Sequence, residues 1–222
     1  MKKNIFKQFG LLFLLSAVLI ISFSPTETKA QSDNLSLGAD YVTTYVWRGV
    51  AYSGPSFQPY VEYSTGGFAI GAWGSQGYDG FQEMDIYAGY TVGGFYIGVT
   101  DYYYPPSGFF DYGEDESHAL EINAAYEIDS FSLSGNIIPQ AGAGASGTDL
   151  YFEAAYSFEN AALAVGAGDG WHSTDTEFAL VNITLSTSKE IEVTEKFSLP
   201  VFGSVTLNPD AEVFYIVAGF SF

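Results

Sequence analysis

Val213-Phe-Tyr-Ile-Val-Ala-Gly-Phe-Ser-Phe222 are the last ten residues of the sequence, and they read as a strand with one greasy side. Counted in twos, Phe214, Ile216, Ala218, Phe220 and Phe222 are apolar, while Tyr215, Gly219 and Ser221 break the opposite face. A side-chain period of two is the mark of a strand that shows an apolar surface on one side only. The same pattern recurs upstream at short, even spacing. Segments beginning near Leu35, Phe57, Phe68, Gln82, Phe95, Ala119, Phe131, Asp149, Ala161, Phe178, Phe197 and Val213 are each bounded by Gly, Pro, Asn, Asp or Ser. The first is read as one strand from Leu35 to Trp47, with Tyr41, Thr43, Tyr45 and Trp47 on the apolar phase and Asp40, Thr44 and Arg48 on the other.

The amino terminus is different in kind. Lys2, Lys3 and Lys7 precede an apolar run from Phe9 to Phe23, and Thr28-Lys29-Ala30 follows. A basic start, an apolar centre and a small exit residue predict a secretory signal peptide over residues 1–30, cleaved after Ala30, ahead of one domain over residues 31–222. The apolar centre is shorter than the roughly 20 residues that a spanning helix needs. Without Cys the chain has no disulfide and no cysteine for a lipid anchor. Beyond residue 30, three basic residues face 25 acidic ones. Such a chain repels nucleic acid and anionic surfaces, so no nucleic-acid partner is expected.

Hydrophobic residues make up 47% of the sequence, yet no later stretch is long enough for a spanning helix. In a bilayer every backbone polar group must be satisfied internally, which leaves a closed barrel. The expected fold is therefore all-β, a closed antiparallel transmembrane β-barrel of about twelve strands, with ten as the alternative. Twelve strands leave about 16 residues for each strand and its connection, against about 9–11 for a spanning strand. Connections alternate in length. Short turns at 65–67, 92–94, 127–130 and 158–161 separate longer loops at 48–56, 76–81, 102–117, 139–148 and 168–176, the asymmetry of periplasmic turns and extracellular loops. The charged stretch 187–196 reads as a long connection on the short-turn side. Tyr63 and Phe68, Tyr90 and Phe95, and Tyr126 and Phe131 straddle three of the turns on the outward phase, as an aromatic girdle at one membrane interface requires. Trp47, Phe57 and Trp73 are candidates for the opposite girdle or the loop base.

The inward phase carries Asp40, Arg48, Glu62, Glu83, Asp85, Glu121, Glu127, Asp149 and Glu153, beside Gln58, Tyr60, Tyr87, Asn123 and Tyr151. Eight acids against one arginine favour cations through the field of a narrow wall. The expected lumen and selectivity residues are Asp40, Arg48, Glu62, Glu83, Asp85, Glu121, Asp149 and Glu153, with Asp40, Asp85, Glu121 and Glu153 near mid-barrel and Arg48 near the outer mouth. The expected function is an outer-membrane porin or narrow diffusion channel for small solutes, cation-preferring, with outer-membrane lipid and lipopolysaccharide as its surroundings. A barrel of this size lies between one filled by side chains and an open channel, so a plugged structural or surface-interaction barrel is the alternative. The loop 102–117 carries Asp111, Glu114, Asp115 and Glu116, which read as a solvated acidic loop because no calcium-loop spacing is present. An enzyme is not expected, and no cofactor or metal is implied. His118 and His172 each sit beside a serine, Ser117 and Ser173, but no catalytic motif surrounds them, which leaves an outer-membrane hydrolase as the least favoured reading.

The segment Gly38-Ala-Asp-Tyr-Val-Thr-Thr-Tyr-Val-Trp-Arg-Gly49, with Gln58-Pro59, Gly71-Ala-Trp-Gly74 and the ending Leu199-Pro-Val-Phe-Gly-Ser204, Asn208-Pro209 and Phe214 to Phe222, resembles the TorF-type porin family of small bacterial outer-membrane proteins. The resemblance covers most of the chain beyond residue 30. It implies a barrel with a pore role and supplies no catalytic or ligand residues. Val42-Thr-Thr44 departs from the family's more compact form, which loosens the alignment of Asp40. The terminal aromatic strand ending at Phe222 is similar to the segment that barrel-assembly machinery reads in outer-membrane proteins, making that machinery an expected partner.

Overall fold

The structure, a computed structural model, describes residues 34–113, 117–195 and 197–222. The expected signal segment, residues 114–116 of the acidic loop and Lys196 lie outside them. Fourteen strands follow in order: β1 (Leu35–Val42), β2 (Tyr45–Trp47), β3 (Val50–Ser53), β4 (Ser56–Thr65), β5 (Phe68–Gly77), β6 (Gln82–Val92), β7 (Phe95–Tyr103), β8 (His118–Ile128), β9 (Phe131–Ile138), β10 (Asp149–Ser157), β11 (Ala162–Gly168), β12 (Ala179–Thr194), β13 (Phe197–Asn208) and β14 (Val213–Ser221). Twelve of them form one closed antiparallel barrel in which each strand pairs with its sequence neighbour and β1 closes the ring between β4 and β14. β2 and β3 form a separate two-stranded hairpin.

The outward face explains why the alternation is so regular. Leu37, Ile70, Ile97, Leu120, Ile122, Leu133, Leu185 and Ile216 all point away from the lumen and are exposed. An apolar belt of this extent is unfavourable in water and is what the hydrocarbon of a bilayer demands of a strand's outer phase. At the short-turn end the registers set Phe68 opposite Tyr90, Phe95 opposite Tyr126, and Phe131 opposite Tyr156. The turn aromatics thus align into one girdle. Closure uses the last strand: Asp40, Tyr41 and Val42 pair with Ser221, Phe220 and Gly219, and backbone bonds of 2.8 and 3.0 Å link Ala39 with Phe222 in both directions. On the outer face Phe57 stacks on Phe222 at 6.0 Å.

Three expectations are corrected. The first strand ends at Val42, not Trp47, because the chain then turns into the lumen; Tyr45 and Trp47, outward by the alternation, are 2% and 4% exposed. Of the girdle candidates only Phe57 faces outward, while Trp73 turns inward onto Tyr45. Residues 187–194 are not a loop. β12 runs on to Thr194 and pairs with β13 as far as Phe197, so the charges of Lys189, Glu190 and Glu192 ride on a strand that continues past the apolar belt.

Inward aromatic rings lie flat against the wall over glycines. A Cβ at Gly38 would meet the Tyr60 hydroxyl at 2.7 Å, one at Gly71 the Tyr87 hydroxyl at 2.4 Å, and one at Gly89 the Tyr96 hydroxyl at 2.1 Å. Only a residue without Cβ lets the rings fold down and keep off the barrel axis. Gly89→Ala therefore costs about 1–3 kcal/mol by overpacking, read as a lower melting temperature of the folded band in heat-dependent gel mobility. The cost shrinks in a Tyr96→Ser background if the ring is the cause; an equal cost in both backgrounds means the ring is not.

Candidate functional site

The site begins with a turn. Arg48 and Gly49 join β2 to β3, and both have positive φ, 49° and 83°. A two-residue hairpin turn of this hand suits the twist of its strands but is strained for a side chain bearing a Cβ. A Cβ on Gly49 would stand 1.9 Å from the Val181 carbonyl oxygen, and Asn208 Nδ2 donates to the Gly49 carbonyl at 3.1 Å. The hairpin thus crosses the lumen from the β1–β4 wall and rests its tip on β12 and β13. Residues 43–55 are a plug.

At the tip, Arg48 Nη1 donates to Glu121 Oε1 at 2.6 Å and Nη2 to Oε2 at 3.0 Å, both side chains being buried. The guanidinium lies between two aromatic faces, 4.4 Å from the Trp47 ring centre and 4.3 Å from that of Tyr151. A bidentate pair with stacked rings is the geometry that arginine is built for. Glu121 Oε2 also accepts from the Tyr102 hydroxyl at 2.8 Å and from Asn123 Nδ2 at 2.6 Å. From there polar contacts run round the wall: Thr100 to Asn123, Asn123 to Asn136, Asn182 to Glu153 and Tyr151, and Thr184 to Asn182 and Thr206. Above the ion pair, Trp47 packs on Tyr102, Trp171 and His172 at 5.3–5.5 Å, and Tyr45 packs on Trp73 and Tyr52. Aromatic packing fills the long-loop end of the lumen.

The inward acids fall into two groups. Asp40, Glu83, Asp85, Glu121 and Asp149 are buried at the level of the plug, whereas Glu62, Glu127 and Glu153 are half-buried nearer the short turns. Glu121 grips Arg48, and Asp149 accepts from the backbone N–H of Ser146 and Trp171, tying down two loops. Glu62 accepts from the Tyr87 hydroxyl and Glu153 from the Tyr151 hydroxyl. Asp40 stands between Gln58 and Ser221 in the ladders, while Glu83 accepts from the Tyr104 hydroxyl. Arg48, placed by the alternation near the outer mouth, instead reaches across the lumen to the wall opposite its own strand. The long loop after β7 divides among its described residues: Tyr104 turns inward onto Phe81, Trp171 and Glu83, whereas Phe109 and Tyr112 pack on His118, whose ring nitrogens engage Asp101 and the Phe109 carbonyl.

Tyr102, Asn136 and Asn182 belong to the site without being singled out by sequence, and His172, weighed there only beside Ser173 as a hydrolase candidate, belongs to it as the neighbour of Arg48. Phase alone could have found Tyr102, Asn136 and Asn182, which are inward by alternation. His172 sits in a short 3-10 turn between β11 and β12, where no periodicity reaches. Its Nε2 lies 3.3 Å from Arg48 Nη1 and accepts from it, which keeps the imidazole neutral. Burial, and then the Arg48 charge, push its pKa from 6.5 down to about 2.

Two outcomes follow. Glu121→Gln leaves a buried guanidinium without its counter-charge, a loss of about 3–5 kcal/mol, and expels the hairpin. Arg48 is the only arginine of the sequence, so trypsin cleavage after it reports the release; the parent barrel resists there, and resistance of the variant means the ion pair does not hold the plug. His172 favours the neutral form when folded, so the stability it contributes is complete above pH about 6.5 and declines as pH falls toward 2. Melting measured between pH 7.5 and 4.5 should drop more steeply for the parent than for His172→Gln, by up to about 1.4 kcal/mol per pH unit; parallel curves remove His172 from the acid response.

No family model matches the sequence, and no curated protein matches it. Among solved structures the chain is similar to two engineered variants of a porin from Rh. blastica, at 14% and 15% identity, each alignment covering 86% of this chain and 74% of the porin with a TM-score of 0.42. At that identity and overlap the likeness carries no inference about this chain.

Proposed function

We propose that the protein is a porin-like diffusion channel of a bacterial outer membrane that passes small cations and is closed in this conformation by its own first loop. The observation that carries the reading is the contrast between the two halves of the lumen. Toward the short turns the inward positions are small or polar, the tyrosines fold onto glycines, and Glu62, Glu127 and Glu153 stand half-buried. At the other end the hairpin and its aromatic partners seal the bore. A low-dielectric wall lined with carboxylates concentrates cations and rejects anions. Outer-membrane lipid and lipopolysaccharide suit the outward belt, and the strand ending at Phe222 suits recognition by assembly machinery.

The hairpin is well placed to act as a gate. Val42 and Ser56 are direct partners in the β1–β4 ladder, so residues 43–55 leave and return from neighbouring strand ends, and only Thr43, bonded to Ala218 of β14, still belongs to a barrel hydrogen-bond row. One observation favours a second reading, a structural barrel without conductance: the guanidinium at the tip has a bidentate partner and two stacked rings, which suits a permanent plug.

Planar-bilayer recording separates them. The parent protein should be mostly closed, and a variant with residues 43–55 replaced by a short Gly-Ser turn should conduct, with a cation-selective reversal potential under a salt gradient. Anion selectivity contradicts the acidic-lumen argument. A silent hairpin-deleted barrel favours the structural reading.

A further inference from the structure

Between the plug and the barrel wall, beside the Arg48 site but outside it, three oxygen atoms stand close together in the ladder. Asp85 Oδ1 and Ser75 Oγ are buried with no hydrogen-bond partner among the described residues, and Glu83 Oε2 is buried without a well-formed bond although the Tyr45 hydroxyl of the plug bears on that carboxylate; the three residues are only 2%, 4% and 5% exposed. All three lie on the inward phase of adjacent strands. Ser75 is the direct ladder partner of Glu83, which sets their Cβ atoms about 4.5–5.5 Å apart. Asp85 follows two residues along the same strand face, about 6.6 Å further by strand rise. The second oxygen of Glu83 accepts from Tyr104, and Trp73 stands opposite Asp85.

Buried carboxylates are held by a countercharge, a proton or a metal. Arg48 is engaged bidentately with Glu121, and Lys189 is exposed on the short-turn half of β12. Two carboxylates and a hydroxyl, with no thiolate or imidazole among them, make a hard oxygen donor set. Their combined charge matches one divalent ion, and the remaining positions of a calcium shell are filled by water in many sites. We infer that Glu83, Asp85 and Ser75 form a binding site for a hard divalent cation of the calcium class between the plug and the barrel wall. The second observation beyond the acids is the Ser75 hydroxyl, buried and unpartnered on the same face. Bound there, the ion offsets the repulsion between the two carboxylates and so stabilises the seated hairpin.

The inference rests on the closed barrel, not on conduction, and its test reads binding. The full chain, folded in detergent and stripped with EGTA, is titrated with terbium while the aromatic residues are excited. Tyr104 and Trp73 adjoin the site, so a saturable sensitised terbium emission is expected, displaced by calcium. Glu83→Gln and Asp85→Asn should each weaken it strongly, Ser75→Ala less so, and Asp111→Asn in the exposed loop should leave it unchanged. Absent emission, emission indifferent to Glu83→Gln and Asp85→Asn, or emission lost in Asp111→Asn overturns the site. If either carboxylate variant fails to fold, the parent barrel decides alone: its melting temperature should rise with calcium over EGTA, and an unchanged value overturns the inference equally.

Discussion

A guanidinium is expensive to take out of water, costing several kcal/mol even after a protein relaxes around it, and Arg48 has been taken into the lumen of a barrel. It stays because Glu121 meets it with two hydrogen bonds while Trp47 and Tyr151 cover its faces. That arrangement dictates much of what surrounds it. Glu121 needs further donors for its lone pairs, which Tyr102 and Asn123 supply; His172 must be neutral to sit beside a cation; Gly49 must lack a Cβ to press on β12. Removing one member leaves the others with unmet charge, so the plug is held by a network that loosens as a unit.

The barrel and the plug have different kinds of stability. In the barrel the hydrogen-bonded pairing closes through all twelve strands, with register shifts only at Gly166/Ala167 and Glu192/Thr194 and a gap beside Pro59, and the outward apolar phase fixes it in hydrocarbon, where an unpaired backbone has no alternative partner. The hairpin is a separate sheet, and its contacts with the wall are chiefly side chains. A wall that cannot open without great cost and an insert that can be displaced for a few kcal/mol are the ingredients of a gate. Charge separates the two long loops: residues 43–55 carry the cation that the acidic lumen accepts, whereas Phe109 and Tyr112, which flank Asp111 in the loop after β7, lie on His118.

The barrel was legible because lipid imposes a rule on every second residue, and that rule repeats from Leu35 to Phe222. Turn aromatics such as Phe68 and Tyr90 could be aligned without coordinates for the same reason. The rule fails where lipid ends. Tyr45 and Trp47 keep the alternation of β1 because a hairpin alternates too, so the pattern runs on through a point where the chain changes direction. Lys189, Glu190 and Glu192 look like a loop because charge is read as solvent, although a ladder can extend beyond the membrane. The inward acids were found by phase, but phase does not say which carboxylate will be met by which partner. Glu121 and Arg48 are 73 residues apart, and nothing local links them.

The seated guanidinium is directly observable, because one arginine gives one guanidinium spin system. In NMR spectra of the barrel in micelles at neutral pH, the Arg48 side-chain N–H groups should be protected from exchange with water, shifted by the ring currents of Trp47 and Tyr151, and connected to both rings by nuclear Overhauser effects. A sharp, solvent-exchanging guanidinium at random-coil positions, in a barrel whose strands are otherwise protected, would contradict the closed lumen at its centre.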